Sequence, residues 1–217
     1  MTLFALVALT FLPLAAFVAW LARSGSRSLA GSVLAIGVAL FAVVVAAVAE
    51  AALAPLFART FPGSVAVDAV LRVALVEEVA KLLAIACVHR LGGPSFRARA
   101  RTRAALSIAI LVSLSFASFE TLHYGTRAAT SLVPRLLFAV PLHVATAMIA
   151  SLSLSRGWKG GRYLAVAALA HSVFNLALSA GFPVSLGAYL IVPVLCLVSL
   201  DLWLKSGDPD AGKDGVA

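Results

Sequence analysis

Charge is scarce in this chain of 217 residues. Only 12% of them are Asp, Glu, Lys or Arg, where a soluble domain carries about a quarter. Hydrophobic residues make up 62%, and the mean hydropathy is +1.05. That balance excludes an ordinary soluble domain and describes an integral membrane protein, almost all of it within the bilayer. Acidic residues are the scarcer sign, 9 against 17 Lys and Arg, for a net charge of +8. The basic residues fall in short gaps between apolar runs, as the positive-inside rule requires, so they do not call for a nucleic-acid partner. Cysteine is limited to Cys87 and Cys196, each alone in an apolar run and without CxxC spacing, which reads as two buried structural thiols. Internal repeats, a GxGxxG turn, a P-loop and an HExxH helix are also absent. No gap is long enough for a separate soluble domain, so residues 1–205 read as one transmembrane domain. No basic residue precedes the first apolar run, MTLFALVALTFLPLAAFVAW. A cleaved signal peptide carries one, so this run reads as a spanning helix.

Long apolar runs are what the chain does have. A spanning helix needs about 20 largely apolar residues. Seven segments qualify, at 2–22, 29–49, 65–90, 104–126, 133–155, 163–180 and 184–204. The fold class is therefore an all-α polytopic membrane bundle. Strands are excluded because the runs are continuous rather than alternating. Basic residues concentrate in alternate gaps: Arg23 and Arg27; Arg90, Arg97, Arg99, Arg101 and Arg103; Arg156, Lys159 and Arg162; then Lys205 and Lys213. The intervening gaps carry only Arg59, Arg127 and Arg135. This alternation predicts an outside amino terminus and a cytoplasmic carboxyl terminus. Trp20, Trp158 and Trp203 fall at span ends, as interfacial anchors do. The tail, residues 206–217, is polar and glycine-rich and reads as disordered.

Ionisable groups inside such spans are costly and mark function by default. The third span holds VEEVAK, with Glu77, Glu78 and Lys81; the fourth holds Glu120, the fifth His143, and the sixth His171 and Asn175. At 1.5 Å per residue, Glu77 and His143 lie roughly 15–18 Å from the outer ends of their helices, and His171 roughly 12 Å from the cytoplasmic end of its own. The groups therefore share a layer in the middle to outer half of the membrane. Glu77 and Glu78 cannot share a helix face, so one is expected to face a cavity while the other grips a neighbour. Lys81, one turn on, can neutralise one of them. Glu120 shares a stripe with Phe116 and Tyr124, and a supporting role is as good a reading as direct chemistry. His143 alone, or the HxxxN pair alone, would read as interhelical hydrogen bonding. Asp68 and Arg72 read as a local ion pair, and His89 and His123 as solvated residues near helix ends.

In order and on successive helices, VEEVAK, FASFE, PLH and HSVFN resemble the PrsW family of intramembrane proteases. That family is related to the CAAX-processing and bacteriocin-immunity proteases. The resemblance covers residues 65–180. Glu77, Glu78 and Lys81 match its paired glutamates and lysine, Phe116 and Glu120 its phenylalanine and glutamate, His143 its lone histidine, and His171 with Asn175 its last motif. CAAX-type proteases have histidine at the second motif and arginine later in the first; this chain departs from them there. The resemblance implies a multi-pass protein of the bacterial cytoplasmic membrane that cuts a membrane-anchored protein. In that family the substrate is an anti-sigma factor, cut outside the cytoplasm.

Hydrolysis needs an activated water and a stabilised oxyanion. The expected division makes Glu77 the general base and Glu78 an orienting or second base. His143 and His171 hold the water or polarise the carbonyl, with Asn175 as an oxyanion donor. This reading uses no cofactor. Its alternative is a zinc site of Glu77, His143 and His171. A proton-coupled transporter or a non-catalytic scaffold on the same bundle are the other classes open to the sequence.

Overall fold

The computed structural model describes residues 2–23, 29–64, 67–91, 101–127, 132–154, 160–180 and 183–205. Seven helices account for nearly all of them, and no strand occurs among the described residues. Helix α1 spans Leu3–Arg23 and α2 spans Leu29–Thr60. Helix α3 begins as a π-helix, Asp68–Ala74, and runs on as α-helix Leu75–Leu91. Helix α4 spans Arg101–Arg127. Helix α5 starts at Leu132–Pro134, winds as a π-helix over Arg135–Ala139, and continues as α-helix Val140–Ser151 with a final 3-10 turn, Leu152–Leu154. Helices α6 (Gly161–Ser179) and α7 (Ser185–Lys205) complete the bundle. Six of the seven are long and apolar enough to cross a membrane. The exception is α3, the helix that carries Glu77, Glu78 and Lys81.

Small residues set the packing. Ala35, Ala39, Ala42 and Ala46 form one buried stripe of α2, and Ala80, Ala84 and Val88 form one of α3; both stripes belong to the same core cluster. Such residues let membrane helices approach closely. Helix α4 is buried by the same means, through Ala109, Ser113, Ser115 and Ala117. In its membrane-length window 78% of residues are buried, and in that of α5 67%, against 17% in α1 and α7. Helices α4 and α5 are therefore the centre, and α1 and α7 are lipid-facing flanks. Hydroxyls bind the flanks: Ser118 Oγ donates to the Thr10 carbonyl at 3.1 Å, and Ser199 Oγ to the Ala145 carbonyl at 3.4 Å. Trp20 and Trp203 meet with ring centroids 6.1 Å apart where α1 ends beside the end of α7.

Several expectations change. Helix α2 does not stop near residue 49 but continues through Glu50 to Thr60, 32 residues in all. The added stretch, AALAPLF, is rich in strong helix formers, and the single Pro55 does not break it. At about 48 Å it exceeds a hydrocarbon layer of about 30 Å. The thiols are not buried: Cys87 is exposed on α3 and Cys196 half-buried on α7. Arg135 lies within α5, not in a gap. Arg27, Arg97, Arg99, Arg156, Trp158, Lys159 and the tail with Lys213 lie outside the described residues, as do the side chains of Arg101, Arg103, Tyr124 and Arg127.

Candidate active site

Helices α3, α4, α5 and α6 bring Glu77, Glu78, Lys81, Glu120, His143 and His171 together. Glu78 is the node. Its Oε1 accepts from Lys81 Nζ at 2.5 Å and Thr146 Oγ1 at 2.9 Å, and lies 2.9 Å from His171 Nδ1. Both Glu78 and Lys81 are fully buried. Lys81 Nζ also sits 2.9 Å from His143 Nδ1 and 5.3 Å from the centroid of the Phe116 ring, which shields the ammonium from lipid. On its other side His143 Nε2 lies 2.7 Å from Glu120 Oε2, and Glu120 Oε1 accepts from Arg135 Nη2 at 2.5 Å. The two histidine rings meet edge to face, centroids 5.0 Å apart.

These contacts fix which ring nitrogens carry protons. Lysine only donates, so His143 Nδ1 accepts and the neutral ring bears its proton on Nε2, facing Glu120. A carboxylate accepts, so His171 bears its proton on Nδ1, facing Glu78. The lone pair of His171 Nε2 then turns towards Glu77, while that of His143 Nδ1, beside it, takes the Lys81 ammonium. Glu77 Oε2 lies 3.9 Å from His143 Nδ1 and 3.8 Å from His171 Nε2, buried and without a hydrogen-bond partner among the described residues. Two adjacent glutamates thus have different surroundings: Glu78 gathers three partners on its Oε1, whereas Glu77 Oε2 has none among the described residues. Glu77 also borders a cavity of about 410 Å³, walled by Glu120, His143, His171 and Asn175 and by apolar Leu142 and Phe174. The cavity lies at the end of the bundle where α3, α5 and α7 begin and α4 and α6 finish.

Two sequence expectations concern neighbouring groups. Glu120 reaches across to a neighbouring helix, to His143 and Arg135 of α5, as a supporting role would have it. Asp68 and Arg72 do form an ion pair, with Nη2 to Oδ2 at 2.6 Å, and Arg72 also donates to the Glu50 carbonyl at 3.5 Å. His123 is exposed and His89 half-buried, both apart from the cluster. Three polar residues escaped the sequence reading: Arg135, Thr146 and Glu50. Arg135 reads as a loop cation at a span edge, and a lone threonine in an apolar helix carries no signal. Glu50 was detectable as an acid inside an uninterrupted helix-forming run.

The ligand atoms of Glu77, His143 and His171 lie within 4.8 Å of one another. Two histidines and a carboxylate are a common catalytic zinc set. Zinc-bound histidines almost always give their second N–H to a carboxylate, carbonyl or water, and here each faces a carboxylate of its own. The donor chemistry therefore fits a metal. One contact runs against it: Lys81 sits on His143 Nδ1, and a metal at that nitrogen requires the ammonium to rest on Glu78 alone.

Fold and site together define a multi-pass membrane helix bundle that gathers carboxylates and histidines around a cavity. This chain belongs to the PrsW family: residues 25–199 match the family model described as PrsW family intramembrane metalloprotease. The match is wider than the motif-bearing stretch 65–180. No curated protein and no solved structure matches the chain.

Proposed function

We propose that this protease hydrolyses a peptide bond of a membrane-anchored protein at the Glu77–His143–His171 cluster, as a metal-dependent enzyme. The observation that carries the reading is the convergence of three acceptor atoms, Glu77 Oε2, His143 Nδ1 and His171 Nε2, with a carboxylate behind each histidine. With Lys81 drawn back onto Glu78, these three acceptor atoms face one another, and a cation would satisfy all three.

Glu77, His143 and His171 would hold the metal, which when bound supplies Lewis acidity to the scissile carbonyl and acidifies water. The remaining work falls to the chain's own residues. Glu78 and Glu120 hold the two rings so that their lone pairs point inward. Asn175, one turn from His171 on the cavity wall, is placed to donate its amide N–H to the oxyanion. Leu142 and Phe174 keep bulk water from the site. The substrate is a protein held by an apolar anchor, an anti-sigma factor being the class that the sequence resemblance carries. The setting is a bacterial cytoplasmic membrane, with the cavity in its outer half.

A second reading keeps the site metal-free. It rests on the Lys81–His143 contact, which places a cation where a metal ligand would be free. There Glu77 Oε2 takes a proton directly from a water held by His171 Nε2.

The test is purified protein in liposomes with a single-span substrate, assayed before and after exhaustive chelation. Metal-dependent cleavage predicts about one zinc per chain, loss of activity on chelation and recovery with added zinc. Full activity in metal-free protein would establish the second reading. A folded protein that cleaves no membrane-anchored substrate under either condition would overturn the proposal.

A further inference from the structure

Arg135, like Thr146, belongs to this site but to none of its motifs. It begins the π-helical stretch of α5, eight residues before His143. On a regular α-helix eight residues make roughly 2.2 turns, so the two side chains would point roughly 80° apart. Yet both reach one carboxylate: Arg135 Nη2 meets Glu120 Oε1 at 2.5 Å, and His143 Nε2 meets Glu120 Oε2 at 2.7 Å. The π-helix Arg135–Ala139 explains this. A π turn takes more residues than an α turn, so five residues wound this way advance less and bring Arg135 round towards the face of His143.

Arg135 Nη2 takes one oxygen of the Glu120 carboxylate, and His143 Nε2 lies 2.7 Å from the other. With Arg135 on one, the other is fixed in direction. Arg135 is 20% exposed and Glu120 18%, so the pair stands at the edge of the cavity while His143 lies beneath it at 3%. A carboxylate without Arg135 could turn towards water and leave the histidine.

We infer that Arg135 is a positioning residue: it clamps Glu120, and the clamped carboxylate holds His143 in the tautomer that keeps Nδ1 an acceptor, beside Lys81 and Glu77. The inference rests on the reading of His143 as part of the active site and holds whether that site uses a metal or not.

Two measurements test it. The first needs no activity: ¹⁵N spectra of the His143 ring in detergent-solubilised protein. Wild type should show the Nε2-protonated tautomer alone. Arg135→Ala and Glu120→Gln should both show a mixture, and Arg135→Lys should restore most of the wild-type signal. The second is kinetic. Arg135→Ala should lower kcat roughly ten- to a hundredfold, the usual effect of losing a residue behind a site ligand, with KM unchanged. The double variant with Glu120→Gln should be no worse than either single one, because both act through His143. An unchanged His143 spectrum in Arg135→Ala would overturn the inference. So would a raised KM with unchanged kcat, which would make Arg135 a substrate contact. Should the wild type cleave nothing, the proposed function fails while the spectra still decide the role of Arg135.

Discussion

Glu77 and Glu78 show how much one residue of helix rotation changes a carboxylate. Glu78 is surrounded by a lysine, a threonine and a histidine, and its charge is already spent on holding them. Glu77 has no such donors. Glu77→Gln should therefore lower cleavage by roughly 10²–10⁴-fold, the span usual for a lost proton-transfer group, with thermal stability preserved. Lys81→Met should act differently. It strands Glu78 as a buried charge without its cation, which costs about 3–5 kcal/mol, read as a lower unfolding midpoint. Adding Glu78→Gln to Lys81→Met should recover much of that loss; no recovery would mean that Lys81 is held by packing rather than by charge. The sequence exposes Glu77, Glu78, His143 and His171 because ionisable groups stand out in an apolar run. It hides Arg135 and Thr146, one because it lies at the edge of a span, the other because threonine is ordinary there.

Among the helices, hydropathy registers how long a segment is but not how tightly it winds. The seven apolar runs correspond to seven helices, yet the π stretches Asp68–Ala74 and Arg135–Ala139 leave no mark in hydropathy. Both precede residues of the site, and each resets the direction of the side chains that follow. The length of α2 was missed for a different reason: Glu50 looks like the end of a span, but the helix continues past it. The turn between α5 and α6 offers a test of packing free of the chemistry. Ser153 Oγ donates to the Gly160 carbonyl at 2.8 Å, and a Cβ at Gly160 would run into the Ser153 backbone. Gly160→Ala should destabilise the protein by about 1–3 kcal/mol, measured by thermal unfolding, while the protein that remains folded keeps its turnover. A variant as stable as wild type would show that this turn adjusts freely.

For the molecule as a whole, a central pair, α4 and α5, is wrapped by helices whose outer faces suit lipid, and the polar cluster lies inside. The alternation of basic gaps predicts an orientation in the membrane: the 92–100 segment should be labelled only from the cytoplasmic side when single cysteines are placed there, and labelling from outside intact cells would invert the topology. That orientation would put the cavity in the outer half of the bilayer, as the proposed cleavage outside the cytoplasm requires. The central claim is that this buried cluster, centred on the bare oxygen of Glu77, hydrolyses peptide bonds. It is tested most directly by placing wild type and Glu77→Gln, purified side by side, in liposomes with one single-span substrate and following the cleaved product. The account predicts product from wild type and essentially none from an equally stable Glu77→Gln protein. Cleavage at the wild-type rate by Glu77→Gln would contradict it.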